Sequence, residues 1–129
     1  MDLRAALNLV NLSTPIGILL ARAAGCRIRR GPSGLLLASG WQLRLPKAAA
    51  FTVGNVVLHR DRAAPLLGPG SALLAHESRH SSQYALLGPA FLPLYFAAAA
   101  WSVLRTGNPG TGNLFERLAG LRDGGYPAP

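Results

Sequence analysis

Residues 76–80 read His-Glu-Ser-Arg-His, and this stretch decides how the rest of the chain is interpreted. It lies in a predicted helix that begins after the N-cap residue Ser71. Residues four apart lie on one face of a helix, so the imidazoles of His76 and His80 can reach the same metal ion. Glu77 lies beside that pair, where its carboxylate can reach a metal-bound water instead of the metal itself. The pattern therefore predicts a metal site on a helix.

A third protein ligand has to come from elsewhere in the chain, because a catalytic zinc ion usually has three protein ligands and a water. The chain has only three histidines and five acidic residues, so the search is short. Glu116 is the leading candidate, since it lies in a predicted helix over residues 113–121 that could pack against the first. The competing interpretation is that Glu116 forms a capping box with Asn113. His59, at the end of a predicted strand, is the second candidate for the third ligand.

The motif and the later glutamate together resemble the zincin metallopeptidases. Within them the chain looks most like the gluzincins, whose third ligand is a glutamate on a downstream helix. The resemblance implies that His76, His80 and Glu116 bind Zn²⁺ and that Glu77 is the general base. The stretch from His76 to Gly120 carries the whole resemblance. No third histidine follows closely after His80, and in this the chain departs from the metzincin pattern.

The organisation of the chain is that of one α+β domain over residues 1–129. The predicted strands, Leu35–Ala38, Trp41–Leu45 and Phe51–His59, look like a small meander. At the N-terminus, a helix or two short helices broken near Pro15 can place five residues on one apolar side: Leu3, Leu7, Val10, Ile18 and Ala21. The predicted segments are a helical N-terminal segment (1–24), the strands (35–59), the motif helix (71–87), an apolar helix (91–104), the glutamate helix (113–121) and a tail (122–129).

The charge of the chain is strongly positive, with 13 basic and 5 acidic residues and a net charge of +8. Such an excess favours an anionic partner, either nucleic acid or a membrane surface. Aromatic residues do not interleave with the arginines, so no nucleic-acid partner is predicted. The cluster Arg27, Arg29 and Arg30 is either a solvated loop or a contact for anionic lipid headgroups.

The expected compartment follows from the single cysteine, Cys26, which excludes a disulfide framework and fits a reducing environment. No secretory signal is evident at the N-terminus. The predicted localisation is therefore cytoplasmic, with membrane association as an open alternative.

A membrane span is the main competitor of the zinc interpretation. Residues 84–104 form a stretch of 21 residues without a charge, about the length that a bilayer requires. A span there would carry Glu116 about 30 Å from the two histidines, so the two interpretations exclude each other. Gly88 and Pro89 interrupt the stretch and would let the apolar helix pack back. We therefore prefer the zinc interpretation.

The predicted function is hydrolysis of a peptide bond by metal-activated water, with a peptide or protein as substrate. Two alternatives remain: a non-catalytic zinc-binding domain, and a small basic membrane-associated protein whose motif is accidental. The donor that stabilises the oxyanion is open among Tyr84, Tyr95, Tyr126 and Arg79. The two remaining acids near arginines, Asp61 and Asp123, are expected to pair with Arg60, Arg62 or Arg122.

Overall fold

The computed structural model describes residues 2–127, which form helices around a four-stranded sheet. The α+β class predicted from the sequence is confirmed. The elements are α1 (Leu3–Val10), α2 (Ser13–Ala23), β1 (Arg27–Arg30), β2 (Leu36–Ser39), β3 (Ala50–Val53), β4 (Val56–His59), α3 (Ala72–Leu87), α4 (Phe91–Thr106) and α5 (Leu114–Ala119).

The strand order in the sheet is β1-β2-β4-β3, and it differs from the predicted meander. β2 pairs with β4 in parallel, whereas β1–β2 and β3–β4 are antiparallel. The predicted strand Phe51–His59 is in fact a hairpin: β3 and β4 are joined by a turn at Gly54 and Asn55, and Gly54 has a φ of +64°. Because β4 returns between β2 and β3, β3 becomes the edge of the sheet that faces the motif helix.

One predicted strand is absent, and one strand was not predicted. Trp41–Leu45 is a loop, although its apolar residues alternate: Trp41 is buried, but Leu43 is exposed, so the alternation does not describe one buried face. The Arg60 guanidinium instead holds this loop through the carbonyl oxygen of Leu43 at 2.7 Å. Conversely, the arginine-rich segment Arg27–Arg30 is strand β1, since an edge strand can expose charged side chains while its backbone pairs with β2.

The core lies on both faces of the sheet. In one cluster, residues of α2, of α4 and of the second half of α3 pack against one face of the sheet. In the other cluster, residues of the segment between β4 and α3 and of the first turn of α3 pack against the opposite face. Alternate residues of β4 divide between them, with Val56 and Leu58 in the first cluster and Val57 in the second. This packing fixes α3 against the edge strand β3.

The motif helix and the glutamate helix are both capped as the sequence predicts. The Ser71 hydroxyl accepts from the backbone N–H of Leu74 at 3.3 Å and starts α3. The Asn113 side chain accepts from the N–H of Phe115 at 3.0 Å and starts α5. Since α5 packs on α3, the one carboxylate of α5, Glu116, is carried toward the motif.

The apolar segment after the motif helix turns back toward it. The turn follows Gly88, which has a φ of +64°. The ring centroids of Tyr84 and Phe91 are 4.4 Å apart, and those of His80 and Tyr95 are 6.0 Å apart. Since residues earlier in α3 contact residues later in α4, the two helices lie side by side in opposite directions. By length and composition, the helical stretch Ala72–Thr106 nevertheless contains a window of 18 residues that is apolar enough to cross a membrane, with a mean hydropathy of 1.5.

Candidate metal centre

The structure brings one side-chain atom from each of three residues to a single point. His76 Nε2 lies 2.9 Å from Glu116 Oε1, and His80 Nε2 lies 2.6 Å from the same oxygen. The two Nε2 atoms are 3.1 Å apart. The histidines come from successive turns of α3, and the carboxylate comes from α5, which packs across it. This His-His-Glu group could hold a metal ion.

The outer nitrogen of His76 is fixed by the backbone. His76 Nδ1 lies 2.8 Å from the carbonyl oxygen of Gly120, which can only accept a hydrogen bond. Nδ1 therefore carries a proton and donates it to Gly120. In the neutral ring this leaves the Nε2 lone pair for the metal, which is the usual arrangement around a histidine ligand.

The outer nitrogen of His80 is fixed in the same way by Gln83, one turn further along α3. The Gln83 Nε2 group donates to the carbonyl oxygen of Phe115 at 2.9 Å, and this orients the side-chain amide. Its oxygen then accepts from His80 Nδ1 at 2.8 Å. Both histidines therefore present Nε2 to Glu116 in the tautomer that a metal requires.

The donor set fits a zinc ion. Two imidazole nitrogens and a carboxylate oxygen are typical ligands of catalytic zinc, with bonds of about 2.0–2.2 Å. For tetrahedral bonds of that length the ligand atoms are about 3.3 Å apart, somewhat more than the 2.6–3.1 Å between these atoms. Three electron-rich atoms this close need a proton or a cation between them. A metal ion would replace the protons that His76 and His80 can share with Glu116.

The second oxygen of Glu116 is held by two tyrosines. The Tyr95 and Tyr126 hydroxyls both donate to Oε2, the latter at 2.9 Å. Burial alone would raise the pKa of Glu116, but hydrogen bonds from His76 and His80 outweigh it and hold that pKa well below its usual range. For His80, burial acts to lower the pKa, and the hydrogen bond to Glu116 overrides this and raises it. Glu116 is thus an ionised carboxylate in a fixed orientation.

Glu77 is buried beside this group without belonging to it. The Thr52 hydroxyl of the edge strand β3 lies 3.3 Å from Glu77 Oε1. Burial raises the pKa of Glu77 to about 7, although the charges of His80 and His76 act to lower it. A carboxylate with a pKa near neutrality can both accept and return a proton, which suits a general base.

Residues 120–127 cover the site and do not form a free tail; the predicted tail residues 128 and 129 lie outside the described residues. Gly120 accepts from His76, Asp123 pairs with Arg79 at 2.9 Å, and Tyr126 reaches Glu116. As a result, His76, Glu77 and Glu116 are each 2% exposed. The site is therefore closed to bulk solvent in this conformation.

Gly124 lies directly against the His76 ring. A Cβ atom there would lie 2.5 Å from His76 Cε1 and 2.7 Å from both ring nitrogens. We expect Gly124→Ala to displace the ring and to weaken zinc binding by about 10–100-fold, the usual cost of disturbing the support of a ligand. Competition with a chromophoric chelator measures this affinity.

The matched control for that substitution is Gly68→Ala, because a Cβ at Gly68 meets nothing within 4 Å. It should leave the zinc affinity unchanged. Equal affinities of the Gly124→Ala variant and the wild type would show that residues 120–127 do not press on His76.

Other candidates from the sequence lie elsewhere. His59 is buried outside this group, with Nδ1 2.8 Å from the carbonyl oxygen of Arg60. The expected partner of Asp123 is wrong, because the carboxylate pairs with Arg79 across the α3–α5 contact. Asp61 is exposed, and no ion pair is found for it within residues 2–127.

The sequence reasoning missed the residues that support the ligands. Gln83 carries a usable signal, since it lies three residues after His80 on the same helical face. Thr52, Gly120 and Gly124 carry none, because their roles depend on how α5 and the segment after it pack. Tyr95 and Tyr126 were candidates for an oxyanion donor, and the structure places both hydroxyls on Glu116 instead.

Comparison with known proteins gives one partial match. A family model described as the eCIS core domain, a domain associated with zincin-like metallopeptidases, matches residues 25–86, just under half of the chain. The match includes the sheet and the His-Glu-Ser-Arg-His motif and ends before Glu116. No curated protein and no solved structure is significantly similar to the chain. Over this stretch the chain is therefore similar to a zincin-like domain, and its His-His-Glu group could bind a metal ion.

Proposed function

We propose that the protein is a zinc-dependent metallopeptidase. The observation that carries the proposal is a set of three converging ligand atoms with a buried, separate carboxylate next to them. A structural zinc site needs only ligands, whereas Glu77 has no ligand role in this arrangement. Burial raises the pKa of Glu77 to about 7, which is the range that a proton-transferring group requires. The similarity of residues 25–86 to a metallopeptidase-associated domain supports the same conclusion.

The geometry supports a separate role for each residue of the site. His76, His80 and Glu116 hold the zinc ion, which when bound supplies a Lewis acid that polarises the scissile carbonyl and acidifies water. Glu77 takes a proton from the attacking water as its oxygen bonds to the carbonyl carbon. It then delivers that proton to the amine nitrogen as the carbon–nitrogen bond breaks. Thr52 holds the Glu77 carboxylate in position through its hydroxyl.

We propose that the substrate is a peptide or protein and that the enzyme acts in a reducing, cytoplasmic compartment. The closed site requires that substrate entry be coupled to movement of residues 120–127. Beyond the site, the segment is held by the exposed Asp123–Arg79 pair and by a hydrogen bond from the Thr111 hydroxyl to the carbonyl oxygen of Pro127 at 3.1 Å. Opening the segment also breaks the hydrogen bonds that His76 and Glu116 make with Gly120 and Tyr126, so most of the cost of opening lies within the site.

The second candidate function is a non-catalytic zinc-binding domain. The same burial favours it, because a structural metal is typically enclosed by protein. On this alternative the zinc ion stabilises the α3–α5 contact and Glu77 is dispensable. The two functions differ in whether zinc-loaded protein cleaves anything.

The test is metal content followed by hydrolysis. We expect purified protein to hold about one zinc ion per chain and to cleave peptides from a mixed library, with both lost on chelation and both regained when zinc is returned. Zinc without cleavage of any peptide favours the non-catalytic alternative. Protein that binds no zinc even after reconstitution contradicts both.

A further inference from the structure

Helix α1 is packed with its polar side inward. Arg4 donates to Ser78, Asn8 Nδ2 donates to the carbonyl oxygen of Ser81 at 3.0 Å, and Asn11 Nδ2 to that of Tyr84 at 2.9 Å. The α1 part of the apolar side predicted from the sequence therefore faces outward, and its three residues are all exposed: Leu3, Leu7 and Val10. The α2 part of that predicted side, Ile18 and Ala21, packs into the core instead. Interhelical hydrogen bonds between polar side chains, with apolar residues outside, are typical of helices in contact with lipid.

Helices α2 and α4 repeat this arrangement. α2 buries Ser13, Thr14 and Gly17, while its exposed large residues lie four and three apart on one face: Leu12, Ile16 and Leu19. α4 buries Ser102 and exposes several large apolar side chains: Leu94, Phe96, Trp101, Val103 and Leu104. Three helices that expose apolar residues and bury polar ones are not the surface of an ordinary water-soluble monomer.

The two helix–helix turns lie side by side. Asn11, in the α1–α2 turn, bonds the last turn of α3, and its side chain lies within 4 Å of the position that a Cβ at Gly88 would take. The residues around this contact are large, apolar and exposed, and we call them the apolar apex: Val10, Leu12, Leu86 and Leu87. Val10 is 81% exposed and Leu86 is 84% exposed.

The charges are arranged around this surface. No Asp, Glu, Lys or Arg occurs in residues 5–21 or in residues 80–104. Both stretches are bounded on each side by arginine: Arg4, Arg22, Arg79 and Arg105. Arg4 and Arg79 are bonded to Ser78 and Asp123, but Arg22 and Arg105 are exposed in the last turns of α2 and α4. Their guanidinium groups can reach phosphate groups while the apolar residues enter the acyl region. The net charge of +8 favours a membrane with anionic lipids.

We propose that the apolar apex docks this protein onto an anionic lipid bilayer, with α1, α2 and α4 entering the interface. The partner is a lipid surface and not a protein, because a protein partner would not account for two charge-free stretches that are bounded by arginines. The chain docks on the bilayer and does not span it, because the Tyr84–Phe91 and His80–Tyr95 contacts hold α4 against α3. It does not depend on the proposed metal chemistry.

The test is flotation of the full chain with vesicles of phosphatidylcholine, with and without phosphatidylglycerol. We expect flotation with the anionic vesicles, weakened by high salt. The double variant Val10→Gln, Leu86→Gln should reduce binding at least about tenfold, since two exposed apolar side chains lose their insertion. The control is Leu45→Gln, Leu66→Gln, at exposed leucines before β3 and after β4, which should bind as the wild type does.

Three results would overturn the proposal. One is wild-type protein that stays in solution with both kinds of vesicle. Another is undiminished binding of the apex variant, with its fold checked by circular dichroism. The third is resistance to alkaline extraction, which would mean that the chain spans the bilayer. A wild-type dimer that the apex variant converts to a monomer, without vesicle binding, would assign the surface to a second copy of the chain.

Discussion

The variant Glu116→Ala is expected to lose the bound metal, with at least a 100-fold fall in zinc affinity. The substitution removes the only charged ligand and leaves His76 and His80, and two protein ligands are too few to hold zinc firmly. Mass spectrometric metal analysis after dialysis gives the stoichiometry. Competition with a chelator gives the affinity.

The fold of this variant has to be measured separately, because the tyrosine hydroxyls that donate to Glu116 also lose their acceptor. An unpaired buried donor costs about 1–3 kcal/mol. Unfolding in the presence of a chelator reports that cost without the contribution of the metal. Glu116→Gln keeps an acceptor oxygen for the hydroxyls and should lose zinc with less loss of stability.

Asp61→Ala is the matched control, since it also removes one carboxylate but from an exposed position outside the site. It should keep one zinc ion per chain. Unchanged zinc affinity in Glu116→Ala, with affinity lost in His76→Ala, would show that the third ligand lies elsewhere. His59 would then be the next residue to replace.

The parts of the site that were predictable from the sequence are those fixed by local geometry. The four-residue spacing of His76 and His80 determines that they share a face of α3, whatever α3 packs against. The acidic residues are so few that Glu116 was the leading candidate for a carboxylate ligand by scarcity and by its helix. The caps at Ser71 and Asn113 are likewise local features, and the structure has both.

The parts that were not predictable depend on packing between distant segments. Periodicity shows that Leu3, Leu7 and Val10 share a side, but it does not show that this side faces outward. That outcome depends on Asn8 finding Ser81, which is 73 residues away in the chain. The order β1-β2-β4-β3 is equally a long-range result, because it needs the parallel pairing of β2 with β4.

The segment after α5 is the clearest limit of the sequence reasoning. Its glycines and prolines are typical of a disordered end, and composition alone favours a tail. Within residues 120–127, however, the anchoring contacts are made with scattered groups elsewhere in the chain: His76, Arg79, Thr111 and Glu116. Contacts of this kind leave no periodic pattern in the sequence, so only the structure reveals that the segment closes the site.

The second large effect is expected from Glu77→Gln, which should abolish hydrolysis while one zinc ion per chain stays bound. The amide has nearly the shape of the carboxylate and can still bond the Thr52 hydroxyl, but it cannot accept a proton from water. General-base catalysis by a placed carboxylate contributes about 10²–10⁴-fold, so the rate constant should fall by that factor. Because burial opposes the charge of Glu77, the neutral variant should fold at least as stably.

The control for this comparison is Asp123→Asn, which removes one carboxylate from the covering segment without touching the ligands. It breaks an exposed pair with Arg79 and should keep the activity, or raise it if the covering segment limits entry. Retained hydrolysis in Glu77→Gln would contradict the general-base role. Loss of zinc in the same variant would mean that Glu77 belongs to the metal site itself, and the division between ligands and base would have to be redrawn.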